Sequence, residues 1–401
     1  MKVLVADKFP AAEVDALTAA GCVVACAPDI KDEALAVALA AERPSILIVR
    51  STEVQTTHLA AAPTLALIIR AGAGVNTIDV AEASARGVYV ANCPGKNSVA
   101  VAELAFAHIL SLDRRLVDGA LDLRSGIWNK KGYQKAQGIL GRTLGLLGLG
   151  GIGREMIPRA HAFGMDVVAW SRSLTPSRAE ALGVTYGQTP ADVARQCDVL
   201  SVHLALNEET RGLVDAALLA DLRDGAIVIN TSRGDVIDQP ALQAAVQQGR
   251  IRAGLDVFAN EPTVGSGEFD PGVFSCEGVQ GTHHIGASTA QAQAAVAEEV
   301  VRIVTTFLSE GSVLNCVNLA DHADATHLLV VRHRDEVGVL ASVLGTLREA
   351  GINVQEMENV LFKGGDAACA RIQLDRAPHE SVLKELRAAS EHILAVGINT
   401  L

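Results

Sequence analysis

The stretch Gly141–Gly153, GRTLGLLGLGGIG, decides how the rest of the chain is read. Leu144, Leu146 and Leu147 make a short apolar run of the buried-strand type, and Gly148-Leu149-Gly150-Gly151-Ile152-Gly153 then supplies a G-x-G-x-x-G. A Gly-rich turn alone can be purely structural. Here it follows a strand and opens a helix expected to begin near Arg154, and that setting points to a dinucleotide. The first glycine makes the tight turn, the second lets a pyrophosphate approach the backbone, and the third lets helix and strand pack closely. The helix N-terminus adds free N–H groups and a partial positive charge.

Working outward, KVLVAD (2–7), VVACA (23–27), ILIVR (46–50), LALIIRAG (65–72) and VYVAN (88–92) are short apolar runs separated by helical stretches. That alternation predicts a parallel α/β sheet. One long helix is expected from Ser98 to about Val117. After the Gly-rich turn, MDVVAW (165–170), CDVLSVHL (197–204), AIVINTS (226–232), AGLDVF (253–258) and GVQGTHHIG (278–286) read as strands of a second α/β unit. A helix follows from Thr289 to Leu308. The polar stretch NLADHADAT (318–326) reads as a linker, and the remainder as a βαββαβ module too small to be a catalytic body.

Apolar residues make up 49% of the 401, with few aromatics, which suits strands buried on both faces under Ala-rich helices. The net charge of −12 argues against nucleic acid and anionic membranes as partners, so any anionic substrate must meet a local Arg/Lys cluster. Seven scattered cysteines form no CxxC pair, which predicts reduced thiols in a cytoplasmic protein and neither a metal site nor a disulfide framework. Asp7 and Lys8 interrupt the apolar start, so no signal peptide is expected, and no run is long enough for a membrane span.

Ligands of such sheets bind beyond the carboxyl ends of the strands. Three polar groups stand there in the second unit: Arg233 after AIVINTS, Glu261 after LDVFAN, and the pair His283-His284 after GVQGT. Hydride transfer on a 2-hydroxy acid needs such a trio. The Arg holds the carboxylate, a His moves the hydroxyl proton, and a carboxylate on the other ring nitrogen orients the imidazole and favours its charged form. In an extended segment, neighbouring side chains point to opposite faces, so one histidine at most should face the cleft, and periodicity does not choose between them. For the nucleotide, an acid is expected after MDVVAW to hold a ribose hydroxyl, but Ser171-Arg172-Ser173 stands there. An Arg suits the 2′-phosphate of NADP or stacks on the adenine of NAD, so the cofactor reads as NAD or NADP.

LLGLGGIGRE, INTSRGDVID, GLDVFANEP and HHIGAST occur in this order, and with them the chain resembles the D-isomer-specific 2-hydroxyacid dehydrogenases. The resemblance implies Arg233 as the carboxylate ligand, Glu261 as the histidine's partner and His284 as the acid–base, with Asp256 beside the cofactor. His283 stands where that family often has proline. It also implies a nucleotide domain (94–286) inserted into a discontinuous substrate domain (1–93 and 287–316). Each would be a doubly wound parallel sheet, Rossmann-like or flavodoxin-like. A linker (317–325) would then lead to a regulatory ACT-like domain (326–401).

VRSTEV (49–54), IIRAGAGVNTIDV (68–80) and NCPGKNSVAVAEL (92–104) resemble the branch of the family that oxidises 3-phosphoglycerate at the head of serine synthesis. That likeness implies substrate contacts from Arg50, Arg70, Gly74, Val75 and Asn97, although Asn76-Thr77 departs from the usual Asp-Asn. The tail implies an amino-acid effector held by His333, Asp335 and Asn353, with Asp335 where an Asn is usual, and a homodimer or homotetramer. Two other readings stay open. One is a glyoxylate or hydroxypyruvate reductase. The other is a dinucleotide-sensing corepressor-like protein of the same fold.

Overall fold

Val3, Leu4 and Val5 are all within 1% of complete burial, so both faces of the first strand are covered, as in a parallel sheet sandwiched by helices. The computed structural model describes residues 1–28, 30–262, 267, 269, 272–320 and 324–401. They divide into two compact units, Met1–Asn318 and Leu319–Leu401.

The first unit contains two sheets. β1 (Lys2–Val5), β2 (Val23–Cys26), β3 (Ile46–Val49), β4 (Leu67–Arg70) and β5 (Tyr89–Asn92) are parallel, in the order β2-β1-β3-β4-β5. Between them run α1 (Ala11–Ala19), α2 (Asp32–Glu42), α3 (Thr56–Ala60) and α4 (Val80–Ala85). α5 (Ser98–Arg114) and α6 (Leu116–Arg124) lead to the second sheet. Its strands are β6 (Thr143–Leu147), β7 (Asp166–Trp170), β8 (Thr185–Tyr186), β9 (Val199–Val202), β10 (Ala226–Asn230), β11 (Ile251–Leu255) and β12 (Val279–Gly281). They too are parallel, in the order β12-β11-β10-β9-β6-β7-β8. α7 (Gly151–Ala162), α8 (Pro176–Ala181), α9 (Pro190–Gln196), α10 (Ala216–Ala220) and α11 (Gln239–Gln247) connect them.

The strand order reverses between β1 and β3 in one sheet and between β6 and β9 in the other, which opens a crevice at each switch point. After β12 the chain goes back to the first sheet. α12 (Ala290–Glu310) puts Val300, Ile303 and Val304 into the core that holds Val3, Val5 and Ile69. Cys316 then bridges Ala91 antiparallel, and the Val317 N–H donates to Val90 O.

The second unit orders β13 (His327–Arg334), α13 (Val339–Glu349), β14 (Val354–Leu361), β15 (Ala367–Leu374), α14 (Glu380–Ala388) and β16 (Ile393–Thr400) as βαββαβ. Its antiparallel sheet runs β14-β15-β13-β16, with alternate residues Leu329, Val331, Ala370 and Ile372 buried in one core. The fold class is therefore the expected one: two doubly wound parallel sheets and a small antiparallel module. Of the expected linker 317–325, residues 321–323 lie outside the described residues. Among the described residues no helix is long and apolar enough to cross a membrane.

Three local expectations are corrected. α7 begins at Gly151, three residues before Arg154, because extended Gly150 already serves as its N-cap. The helix from Ser98 stops at Arg114, because Arg115 adopts a left-handed φ of 52° and starts α6 in a new direction. The strand expected over 278–286 ends at Gly281, and His284 has φ 52°. The histidine pair is therefore not extended, and strand alternation does not decide which one faces the cleft.

Candidate active site

At the switch point of the first sheet, Asp7 follows β1 and is nearly buried. Its carboxylate accepts N–H bonds from Arg50 (2.7 Å), Ser51 (3.2 Å) and Thr52 (3.1 Å) and the Ser51 hydroxyl (2.8 Å). Burial alone would raise the Asp7 carboxyl, but these donors together hold it below its ordinary value. The backbone at Arg50 is thereby pinned. Arg50 O in turn accepts from Arg70 Nε at 3.0 Å. Burial lowers the Arg70 guanidinium, and the positive charges of Arg233 and Arg50 lower it further. Three guanidinium groups are thus near enough for Arg70 to feel the charges of the other two, which is the local positive field that an anion requires on an acidic chain.

Arg233 comes from the second sheet. Buried Asn230, the last residue of β10, shapes its turn: Asn230 Nδ2 donates to Arg233 O (2.9 Å), and Asn230 Oδ1 accepts from Ser232 N (3.0 Å) and Ser232 Oγ (2.8 Å). Arg233 Nη2 lies 2.6 Å from where a Cβ on Gly74 would stand, so the guanidinium rests directly over the loop after β4. The next residue, Gly234, leaves no room for a Cβ against the backbone of Phe258 and Ala259. That close approach draws the loop after β10 against the loop after β11, which carries Glu261.

Glu261 Oε1 accepts the Phe258 N–H at 2.8 Å, and Oε2 meets His284 Nδ1 at 2.6 Å. Burial pushes the Glu261 carboxyl up, but the bonds from His284 and Phe258 and the nearby positive charge of Arg233 outweigh it, so it stays lowered and ionised. A carboxylate on Nδ1 makes that nitrogen the donor and leaves Nε2 as the site for proton exchange. His284 Nε2 has no hydrogen bond among the described residues, and the side chain is 50% exposed. Among the same residues, His283 is exposed and neither of its ring nitrogens is bonded.

The nucleotide loop sits at the β6/β9 switch point. A Cβ on Gly148 (φ 100°) would collide with the carbonyl of His203, and one on Gly153 with the carbonyl of Gly148. A Cβ on Gly151 would strike Ser98 Oγ, whereas around Gly150 there is open space. Gly150 is therefore where a pyrophosphate can reach the helix N-terminus, with Ile152 packed behind on the β6–β7 core. His203 Nδ1 and Thr231 Oγ1, at the carboxyl ends of β9 and β10, are buried without a partner among the described residues. Burial pushes His203 down to about 3, so the ring is neutral. A glycine cradle with unpaired buried polar atoms nearby fits a dinucleotide.

A family described as D-isomer specific 2-hydroxyacid dehydrogenase, NAD binding domain, matches residues 106–301. A hydroxypyruvate reductase of Thermotoga maritima is 40% identical over 259 residues, covering 64% of this chain and 82% of that one. The chain belongs to the D-isomer-specific 2-hydroxyacid dehydrogenase family. A D-3-phosphoglycerate dehydrogenase of Mycobacterium leprae is 37% identical over 318 residues, 79% of this chain and 58% of that protein. This dehydrogenase-family chain thus spans less than two thirds of the length of such curated relatives. The solved structure of a glyoxylate reductase from Paecilomyes thermophila aligns with a TM-score of 0.70 at 28% identity, over 79% of this chain and 98% of that one.

The remaining site residues of this family member are less tightly joined. Ser171 and Ser173 line a small recess with Leu149 and Arg154, but Arg172 is exposed and paired with Glu209 at 2.8 Å, a weak surface contact. Val75 packs on the first-sheet core, and Asn97 caps α5 without a side-chain bond. Asp256 is buried, and its two oxygens accept three bonds from the loop bearing His284.

The proposed effector trio is not assembled within one chain. His333 is buried between Arg334 O (2.7 Å) and Asn359 Oδ1 (3.2 Å). Asn353 lies at the opposite end of the sheet, because His333 pairs with Ala368 whereas Val354 pairs with Leu374. Asp335 is exposed, bonding Asp366 O through its N–H. Sequence reading missed Asp7, Asn230, His108 and Thr282. An acid at the end of a first strand was the available signal for Asp7; nothing local marks the others.

Proposed function

We propose that this chain is an NAD(P)-dependent D-2-hydroxyacid dehydrogenase that acts on 3-phosphoglycerate. The observation that carries this reading is the meeting of Arg233, the Glu261–His284 pair and the Arg50/Arg70 cluster beside the glycine cradle. Arg233 would hold the substrate carboxylate, and Arg50 with Arg70 the phosphate. His284 Nε2 would take the hydroxyl proton during oxidation and return it during reduction, while Glu261 holds the ring and its charge. Gly148, Gly150, Gly151 and Gly153 would seat the dinucleotide, which accepts the hydride when bound.

A panel of 2-hydroxy and 2-keto acids with NAD and NADP tests this. Turnover of 3-phosphoglycerate is expected, and its absence alongside turnover of other acids would reject the substrate. Hydroxypyruvate or glyoxylate reduction is the second reading, favoured by the 40% identity to the Thermotoga maritima reductase.

We also infer self-association. α6 has no buried residue, and Leu121, Leu123 and Trp128 are 55%, 61% and 79% exposed. The helix flanks a cleft of about 530 Å³ of mixed lining, where Val117, Val246 and Ile251 stand among Arg115, Asp118 and Glu277. An exposed apolar arm beside this cleft suits a two-fold pair of identical chains.

A further inference from the structure

We propose that a one-way hydrogen-bond chain from α5, running His108–Thr282–Asp256, holds the His284 loop in its working shape, and that His108 and Thr282 are positioning residues for the acid–base. The proposal rests on the reading of His284 given above and assigns roles to residues outside it.

His284 needs such support. A left-handed φ in a non-glycine residue is strained and persists only when its surroundings impose it. Asp256 grips the chain on both sides of the pair: Thr282 Oγ1 donates to Oδ1 at 2.6 Å, Ile285 N to Oδ1 at 2.9 Å and Gly286 N to Oδ2 at 2.8 Å. Thr282 has one hydroxyl proton, and the carboxylate takes it. Its oxygen can therefore only accept from His108 Nε2, 3.2 Å away. This requires the Nε2–H tautomer, which leaves Nδ1 as an acceptor.

Gln280 Nε2 stands 3.2 Å from that Nδ1 and also donates to His108 O at 3.1 Å. Gln280 Oε1 accepts from Ser111 Oγ at 2.7 Å. Each donor in the chain then has an acceptor, and one assignment of protons satisfies all of them. Gly254 makes room for the ring, since a Cβ there would lie 2.9 Å from His108 Cβ. Burial lowers the His108 pKa, against a smaller opposing pull from Asp256, so the neutral ring that the chain requires is favoured.

Two measurements test this. In protein with 15N-labelled histidine at pH 7, without ligand, His108 is expected as neutral Nε2–H, and an Nδ1–H or doubly protonated ring would overturn the proposal. In kinetics, Thr282→Val, which keeps the shape and loses the hydroxyl, is expected to lower kcat at least tenfold with KM for the acid within twofold. Thr282→Ser should recover most of that loss. A Val variant with kcat within twofold of wild type, or a Ser variant as slow as Val, rejects the role. Should Thr282→Val fail to fold, His108→Phe against His108→Gln decides, with Gln expected to restore kcat by supplying the N–H and equal kcat rejecting the role. A wild-type chain with no turnover of any 2-hydroxy or 2-keto acid would reject the functional reading together with this one. Active wild type with indifferent variants rejects this one alone.

Discussion

The two adjacent histidines differ in what they touch. His284 faces a carboxylate at 2.6 Å, and His283 has no bonded ring nitrogen among the described residues. His284→Ala is expected to lower kcat on the order of 10²–10⁴-fold while leaving NADH binding, read by fluorescence, near wild type. His283→Ala should keep most of the activity, and the reverse ranking would overturn the assignment. Glu261→Gln keeps the shape but removes the charge that holds the ring. We expect a fall in kcat larger than any change in KM, measured at steady state.

Among the elements, α12 ties the first unit together through Glu299, which is 3% exposed. Its carboxylate takes Arg302 Nη2 (2.5 Å), Arg302 Nε (2.9 Å), Asn315 Nδ2 (2.8 Å) and Lys96 Nζ (3.1 Å). Lys96 belongs to the crossover between the two sheets, next to Asn97. The hydrogen bonds from Arg302, against the upward push of burial and with help from Lys96 and Asn315, hold the Glu299 carboxyl at about 2. A carboxyl lowered on folding stabilises fully above its unfolded pKa of about 4.5, and the gain is lost as pH falls towards about 2. Glu299→Ala should therefore cost about 1–3 kcal/mol near pH 7 in urea unfolding. The gap to wild type should narrow between pH 4.5 and 2. A pH-independent gap would assign the loss to packing instead.

For the whole molecule, the exposed arm predicts assembly. Wild type is expected to sediment as an oligomer, and Leu121→Asp with Trp128→Ser to sediment as a monomer. Wild type sedimenting as a monomer would reject the inference. Much of this architecture is legible in the sequence. Short apolar runs such as ILIV and AIVIN bury both faces, so they mark strands of a covered parallel sheet. The Gly-rich turn was legible for a similar reason, since the spacing of its glycines follows from local sterics. The ends of elements were less so. Arg115 and His284 adopt left-handed backbone that no local residue preference demands.

By itself, the sequence determined the strand–helix alternation, the nucleotide turn and the βαββαβ tail, because periodicity and backbone sterics act over a few residues. It also named Arg233, Glu261 and His284 through an ordered set of motifs. Only the tertiary structure decided that these three converge with Arg50 and Arg70, which lie up to 234 positions away from His284 along the chain. Only it decided that His284 stands in a turn held by Asp256, Thr282 and His108, and that His333 and Asn353 lie at opposite ends of one sheet. Such contacts join distant segments through packing and shared hydrogen bonds, and neither leaves a local mark in the order of residues.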